Sequence, residues 1–470
     1  MSVHHHMTSL LRFYDFFAGA GLAATGLAPE WECIWANDID PKKASVYRRN
    51  CGDNHFHLGD VANFTAADLP NHAQLAWASF PCQDLSLAGW QRGLSANRSG
   101  TFWPFWKIMR KQFEAGGRPP IIVLENVLGL LHGDSFSGLC EAFADLGMQF
   151  GALVMDARLF LPQSRPRVFV VGVDSHVDCS AFVCGEGCPT WTPQALVNAH
   201  ARLSPKVSAL WRWWNLPTPT PPLYAVEAFI EDEPTGVAWH TQQETTRLLG
   251  MMNELHLGRV AEAKRAGTRR IGFVYKRIRD GVQRAEVRFD GIAGCLRTPQ
   301  GGSSRQTVVV VEGRKVRSRL LSPREAARLM GVPDSFKLPE KYNDAYKAMG
   351  DGVAVPVVSW LSRHLLLLLA ETAKSKFNGD HHAAVRLSAA HAHKRADGWA
   401  KEHKRMAPVR LVVACEKVLA DWHRDLDSRK STGSDSFIAC AGIKVAELTK
   451  TKWPLERADY VSTGSRFRST

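Results

Sequence analysis

The stretch Leu11-Arg12-Phe13-Tyr14-Asp15-Phe16-Phe17-Ala18-Gly19-Ala20-Gly21 decides how the first half of the chain reads. An apolar run, Leu11 to Phe17, stops at small residues, and a helix to about Leu27 follows. This is a strand that turns into a helix through a loop whose glycines let the backbone approach a ligand closely. The full dinucleotide fingerprint G-x-G-x-x-G is absent, although Gly19, Gly21 and Gly26 are present.

The same grammar recurs outward from that point. Trp31 to Ala36 reads as a second strand ending at Asn37-Asp38, and Leu75 to Phe80 as another ending at Pro81-Cys82. Pro120 to Leu124 is a fourth, ending at Glu125-Asn126, and Arg167 to Val173 a fifth. Helical stretches such as Phe102 to Glu114 and Phe136 to Leu146 lie between them. Alternating strands and helices predict an α/β fold, with a parallel sheet covered by helices on both faces. In such sheets ligands sit beyond the carboxyl ends of the strands. Phe17, Ala18, Gly19, Asp38, Asp60, Cys82 and Glu125 are therefore expected to line one crevice.

The residue types suggest what that crevice does. An acid after the second strand, Asp38, is placed to accept hydrogen bonds from ribose hydroxyls, and Asp60, after Gly59, from an adenine amino group. Cys82 follows a strand directly, between Pro81 and the polar Gln83, Asp84 and Ser86, which suits a reactive thiol better than a buried one. A thiol needs nearby positive charge to react as thiolate, and Arg165 and Arg167 in Gln163-Ser164-Arg165-Pro166-Arg167 are the candidates. Glu125 supplies a carboxyl able to donate a proton or a hydrogen bond in a closed site.

The 470 residues carry a formal charge of +13, unevenly spread: from Glu371 to Thr470 there are 19 basic and 12 acidic residues. A basic balance suits a polyanion such as nucleic acid. With 45% hydrophobic residues, wholesale disorder is excluded. No apolar run approaches the ~18 residues of a membrane span, so no membrane partner is expected. No secretory signal opens the chain, and the ten cysteines contain no C-x-x-C pair, so they read as reduced thiols in a cytosol. His176, Cys179, Cys184 and Cys188 lie close in sequence, but not at a standard zinc spacing, so no metal is expected. His4 to His6 read as a vector remnant, with Met7 as the natural start.

From about Asp174 to Asp290 the pattern changes. Trp191, Trp211, Trp213, Trp214 and Trp239 stand among Pro and Thr residues, and a helical stretch near Glu244 to Ala266 precedes a basic, strand-like segment. That segment holds Arg269, Arg270, Lys276, Arg277, Arg279, Arg284 and Arg288 and suggests a smaller second domain. Gly301-Gly302 marks a tight loop, residues 320–370 return to helix, and an Ala/His/Lys-rich extension follows.

Taken in order, nine segments resemble the motifs of bacterial-type DNA (cytosine-5) methyltransferases. They are Asp15-Phe16-Phe17-Ala18-Gly19-Ala20-Gly21, Asn37-Asp38, Gly59-Asp60, Phe80-Pro81-Cys82-Gln83, Arg98-Ser99-Gly100-Thr101 and Glu125-Asn126-Val127. Gln163-Ser164-Arg165-Pro166-Arg167, Arg297-Thr298-Pro299-Gln300-Gly301-Gly302 and Met349-Gly350-Asp351-Gly352-Val353-Ala354-Val355-Pro356 complete the set, over about residues 11–370. One such motif is weak evidence, whereas the ordered set is specific.

The resemblance implies a Rossmann-like, S-adenosylmethionine-dependent methyltransferase domain over 8–173, a smaller target-recognition domain over 174–319, and a return to the catalytic domain over 320–370. A basic, mainly helical extension over 371–470 follows, and residues 1–7 are the vector remnant. It implies S-adenosyl-L-methionine held by Phe17, Ala18, Gly19, Gly21, Asp38, Ile39, Asp60, Val61, Pro81, Gly352 and Val353. It implies Cys82 as the nucleophile at cytosine C6, Glu125 at N3, Arg167 at O2, and Arg165 supporting the site or a phosphate. Double-stranded DNA is the implied partner, its target base rotated out of the stack under a loop from Gln83 to Ser99. The implied setting is the bacterial cytosol at the nucleoid, with or without a restriction endonuclease counterpart. A tRNA cytosine-5 methyltransferase and a catalytically inactive DNA-binding protein are the alternatives. Two departures stand out: Asp351 replaces the family's usual Asn after Gly350, and Leu22-Ala23 stands where a further glycine is common.

Overall fold

The computed structural model describes residues 10–81, 100–220, 225–279, 281–297 and 305–377. Cys82, the loop from Gln83 to Ser99, the glycine loop Thr298 to Ser304 and the chain from Asn378 onward lie outside the described residues. The expectations for the nucleophile, the closing loop and the helical extension fall there.

Seven strands make the main sheet: β1 (Leu11–Phe16), β2 (Trp31–Asp38), β3 (Phe56–Leu58), β4 (Leu75–Ala78), β5 (Ile121–Val127), β6 (Gln149–Asp156) and β7 (Pro166–Val173). Their spatial order is β3-β2-β1-β4-β5-β7-β6. Helices α1 (Leu22–Leu27), α2 (Pro41–Cys51), α3 (Phe102–Glu114) and α4 (Ser135–Asp145) connect them. Every central strand is apolar on both faces. Phe13, Trp77, Val123 and Phe169 enter one core layer, and Tyr14, Ala76, Leu124 and Val170 the other. Helices cover both faces, so the strands read as continuous apolar runs rather than alternating ones. Each large side chain so buried contributes about 1.5–3 kcal/mol. The Rossmann-like α/β fold is thus present.

The sheet is mixed rather than parallel. β7 runs antiparallel to both β5 and β6, while all the other pairings in this sheet are parallel. A parallel crossover needs about a dozen residues or more, but only residues 157–165 separate β6 from β7. The chain therefore reverses into the slot between β5 and β6. Two strands, β3 and β6, also escape the sequence reading.

Beyond β7, a two-residue pair, β8 (Val183–Cys184) and β9 (Trp213–Trp214), flanks α5 (Gln194–His200) and α6 (Pro205–Ser208). The expected long helix is two: α7 (Gln242–Gly250), opened by the Thr241/Glu244 capping box, and α8 (Glu254–Arg265), capped by Asn253. A fresh N-cap after Met251-Met252 restarts the helix in a new direction. The basic segment folds back on itself as β10 (Arg270–Arg279) and β11 (Val282–Arg288), joined by β12 (Thr307–Glu312) and β13 (Lys315–Leu320) in an antiparallel sheet of order β11-β10-β12-β13. One face of this sheet, through Ile271, Phe273, Val308 and Val310, joins the same core as Phe13. The other face packs Val274, Val287, Val309 and Val311 with Leu248, Met252 and Val260 of the two helices.

The chain then returns as α9 (Pro323–Leu329), α10 (Tyr342–Asp351), α11 (Val355–Leu361) and α12 (Leu367–Phe377), with a π-helical turn at Ser362–Leu366. By length and composition the stretch Tyr342–Lys374 is apolar enough to cross a membrane, contrary to the sequence reading. Its most apolar window is 67% buried within the protein, and Leu361, Leu365, Leu366 and Leu369 belong to the core. These side chains fill the protein's own interior.

Candidate active site

The glycine loop sits at the carboxyl end of β1. Phe17, Gly19 and Gly21 all have left-handed backbone, with φ of 57°, 57° and 85°. Gly21 has a steric reason to be glycine, since a Cβ there would lie 2.5 Å from Cys51 Sγ. The Gly19 amide donates to Asp38 Oδ2 at 2.9 Å, and the Asp40 amide donates to Oδ1 at 2.8 Å. Asp38 is buried at the end of β2, next to the loop. Gly59 N–H donates to the Asp38 carbonyl at 3.0 Å, and Asn37 Nδ2 donates to the Gly59 carbonyl at 2.8 Å. Asp60 thereby comes beside Asp38, where its carboxylate caps the turn at Val61 by accepting from Ala62 N–H at 2.9 Å.

Other expected cofactor residues converge on the same end of the sheet. Phe17 is half-buried with its ring edge-on to Phe105, 6.5 Å between centroids. Ala18 and Val61 are buried, while Ile39 and Pro81 are exposed. Gly352 and Val353, three hundred residues away in sequence, close in at the start of α1: a Cβ on Gly352 would lie 2.6 Å from Leu22. Asp38 and Asp60 also fit the charge of the expected ligand. Beneath the loop, Asp15 is fully buried with neither carboxyl oxygen hydrogen-bonded. Burial, and then the charge of Asp38, push its pKa well above the carboxylate range. A half-buried aromatic ring, an open glycine backbone and acids suit an adenosine-containing, positively charged sulfonium.

The second half of the site lies at the ends of β4 and β5. Ala78 pairs with Leu124, so Glu125 emerges beside the segment leading to Pro81. Asn126 Nδ2 donates to the Phe80 carbonyl at 3.0 Å and anchors that segment. Arg167 Nε stands 3.2 Å from Glu125 Oε1, and both side chains are largely buried.

Arg165, expected to support the site or a phosphate, lies wholly inside the protein. Its side chain is buried and donates to the carbonyls of Leu296 (2.9 Å), Gly350 (2.7 Å) and Gly352 (2.6 Å). Burial, then the neighbouring Arg167, lower its pKa to about 10. With three carbonyls engaged and no exposed face, Arg165 ties the Leu296 and Gly350–Gly352 segments to the start of β7.

Four contributors were not singled out from the sequence. Asn37 and Asn126 sit next to predicted residues, and a polar side chain ending an apolar strand is the signal that could have marked them. Asp15 stands inside a quoted motif, but nothing local shows that its carboxyl has no partner. Cys295 has no sequence signal at all. Its sulfur lies 3.3 Å from Arg165 Nη1 and 4.0 Å from both terminal nitrogens of Arg167.

Among the described residues, no group of three His, Cys, Asp or Glu side chains is arranged to hold a metal ion. Cys179 donates to Gln149 Oε1 and Cys184 to the Trp213 carbonyl, each at 3.4 Å.

Comparisons with known proteins identify the family. The family profile described as "C-5 cytosine-specific DNA methylase" matches residues 11–366. The type II methyltransferase M.NlaX of Neisseria lactamica is 26% identical over 375 residues, 78% of this chain and 100% of the relative. M.HhaI of Haemophilus parahaemolyticus is 26% identical over 365 residues, 76% of this chain and 94% of the relative. Among solved structures, S. pombe Dnmt2 methyltransferase aligns with a TM-score of 0.47 at 17% identity, covering 76% of this chain and 98% of that one. The chain belongs to the C-5 cytosine-specific DNA methylase family and is a DNA (cytosine-5)-methyltransferase.

Proposed function

We propose that this enzyme methylates C5 of a cytosine rotated out of a specific duplex DNA sequence, through a transient covalent bond between Cys82 and the base. The observation that carries the reading is the buried Glu125–Arg167 pair at 3.2 Å, beside the segment that leads to Cys82. When bound, S-adenosyl-L-methionine supplies an electrophilic methyl group, and the Asp38–Gly19 loop with Phe17, Asp60 and Val353 would hold it.

Cytosine C5 is a poor nucleophile. Addition of the Cys82 thiolate to C6 opens the C5–C6 double bond and makes C5 electron-rich. Glu125 holds a proton at N3, and Arg167 donates to O2, so charge developing on the ring is met by fixed partners. C5 would then bond to the methyl carbon as the sulfur–methyl bond breaks, its electron pair staying on the departing thioether sulfur. Loss of the C5 proton to a base and breakage of the Cys82–C6 bond restore the double bond. Arg165 keeps β7, the Leu296 segment and Gly352 in register, so the two halves of the site stay aligned. The arginines of β10 and β11 supply phosphate and guanine contacts. This reading puts the enzyme at the bacterial chromosome, as the partner of a restriction endonuclease or as a solitary methylase, and the relatives' designation as type II methyltransferases supports the former.

Labelled S-adenosylmethionine with mixed-sequence duplex DNA, and separately with tRNA, tests the proposal. The expected product is 5-methyldeoxycytidine in DNA, absent for Cys82→Ala. Label entering only tRNA, or an active Cys82→Ala variant, sinks it.

A further inference from the structure

We propose that Cys295 is a positioning residue for the methyl transfer reaction, holding the Arg167 guanidinium against Glu125. The inference rests on the proposed function of the Glu125–Arg167 pair.

Three groups surround the Arg167 guanidinium. Glu125 Oε1 meets Nε at 3.2 Å. The Pro166 carbonyl accepts from Nη1 at 2.9 Å. The Cys295 sulfur closes the far edge, 4.0 Å from Nη1 and from Nη2. The same sulfur accepts from Arg165 Nη1 at 3.3 Å. One thiol thus joins the bracing arginine to the pairing arginine. Glu125 holds Nε and the Pro166 carbonyl holds Nη1, and the sulfur adds a contact at Nη2 that further restricts the plane of the guanidinium.

The environment favours negative charge on this sulfur. Burial alone would raise the thiol pKa, but the charges of Arg165 and Arg167, with Arg297, hold it below its ordinary value. The other titratable groups facing it are Tyr275 and Tyr346, both of which feel its charge. Cys295 is partly exposed. It has no part in bond making, and its sulfur does not substitute for that of Cys82.

Two measurements test this. The first compares Cys295→Ala with Cys295→Ser, since serine keeps a polar acceptor in place. The expected result is a fall in kcat of about tenfold for alanine, the worth of one hydrogen bond to a charged group. Serine should recover to within about threefold of the parent enzyme, and cofactor affinity should not change in either. Full activity in the alanine variant overturns the proposal, as does equal damage in both. If the alanine variant loses cofactor binding or folds poorly, the serine variant decides alone by the same threefold criterion.

The second measurement needs no catalysis, so it separates this inference from the proposed function. Iodoacetamide alkylation of the Cys295 peptide, followed against pH by mass spectrometry, should show a midpoint below that of an ordinary cysteine. Arg167→Ala should move that midpoint upward. An unmoved midpoint shows that the two groups are uncoupled and overturns the proposal, whether or not the enzyme methylates DNA.

Discussion

Arg167 lies diagonally across an antiparallel strand pair from Glu125. In the register of β5 and β7, Val127 faces Arg167, and Glu125, two residues earlier, shares the same face of β5 as Val127. Diagonal neighbours on one face are within reach of a long side chain. The reversed direction of β7 therefore creates the 3.2 Å contact.

Removing either partner leaves the other charge buried and unmatched. Arg167→Ala should lower kcat by about 10²–10³, and Glu125→Gln by about 10²–10⁴. Neither should change cofactor affinity appreciably. Single-turnover methylation on a saturating duplex measures both, and a variant within a few-fold of the parent enzyme contradicts the role proposed for that residue.

Asp38 accepts from two backbone amides, Gly19 and Asp40, and so shapes the glycine loop. Asp38→Ala should weaken S-adenosylmethionine binding by about 10- to 100-fold, the loss of one hydrogen bond to a charged group or slightly more. Equilibrium binding of the cofactor without DNA is the measurement. DNA affinity should stay close to that of the parent.

Arg319 and Glu325 form a bidentate ion pair at 2.6 and 2.7 Å with both side chains 0% exposed. Glu325 also accepts from the backbone amides of Ser322 and Glu231. The pair pins the end of β13 to α9. Arg319→Met leaves a buried carboxylate without its counter-charge and should cost about 3–5 kcal/mol. Urea denaturation of the variant reads this loss directly.

Two titratable groups give opposite pH dependences. The folded pKa of Asp15 is raised well above 3.8, first by burial and then by Asp38. Its contribution to stability is full below about pH 4 and is lost as pH rises through the folded value. Asp15→Asn should therefore melt higher than the parent at about pH 8, with the gap closing towards pH 4. Burial, then Arg363, lower the pKa of His364 from 6.5 to about 4. Its contribution is present above about pH 6.5 and is lost as pH falls through about 4, and His364→Gln should flatten that limb.

Asp351, which stands where the family usually has Asn, pairs with Lys43 at 2.8 Å. Lys42–Asp344 at 2.8 Å and Lys347–Asp40 at 2.7 Å run alongside, so three ion pairs join α2 to α10. Partly exposed pairs of this kind contribute about 1 kcal/mol or less each. Asp351→Asn should cost about 0.5 kcal/mol in chemical denaturation and leave cofactor affinity within about threefold. A larger loss of affinity would assign the acid a direct place in the cofactor pocket.

Local sequence by itself determined the central strands, the bounds of α3, and the acids and glycines that end β1 and β2. Those features follow from apolar runs, helical periodicity and small residues at turns, which act over a few neighbours. The ordered motifs likewise singled out Glu125, Arg165 and Arg167, which lie together in the structure. The direction of β7, the edge strand β3 and the break between α7 and α8 depended on which slots the folded sheet left open and where a cap could restart a helix. Arg165 became a brace because carbonyls from Leu296, Gly350 and Gly352 surround it. Cys295 and Asp15 acquired their character in the same way. Burial and the approach of charges from distant segments set the chemistry of these two groups, and no local pattern records which charges those will be.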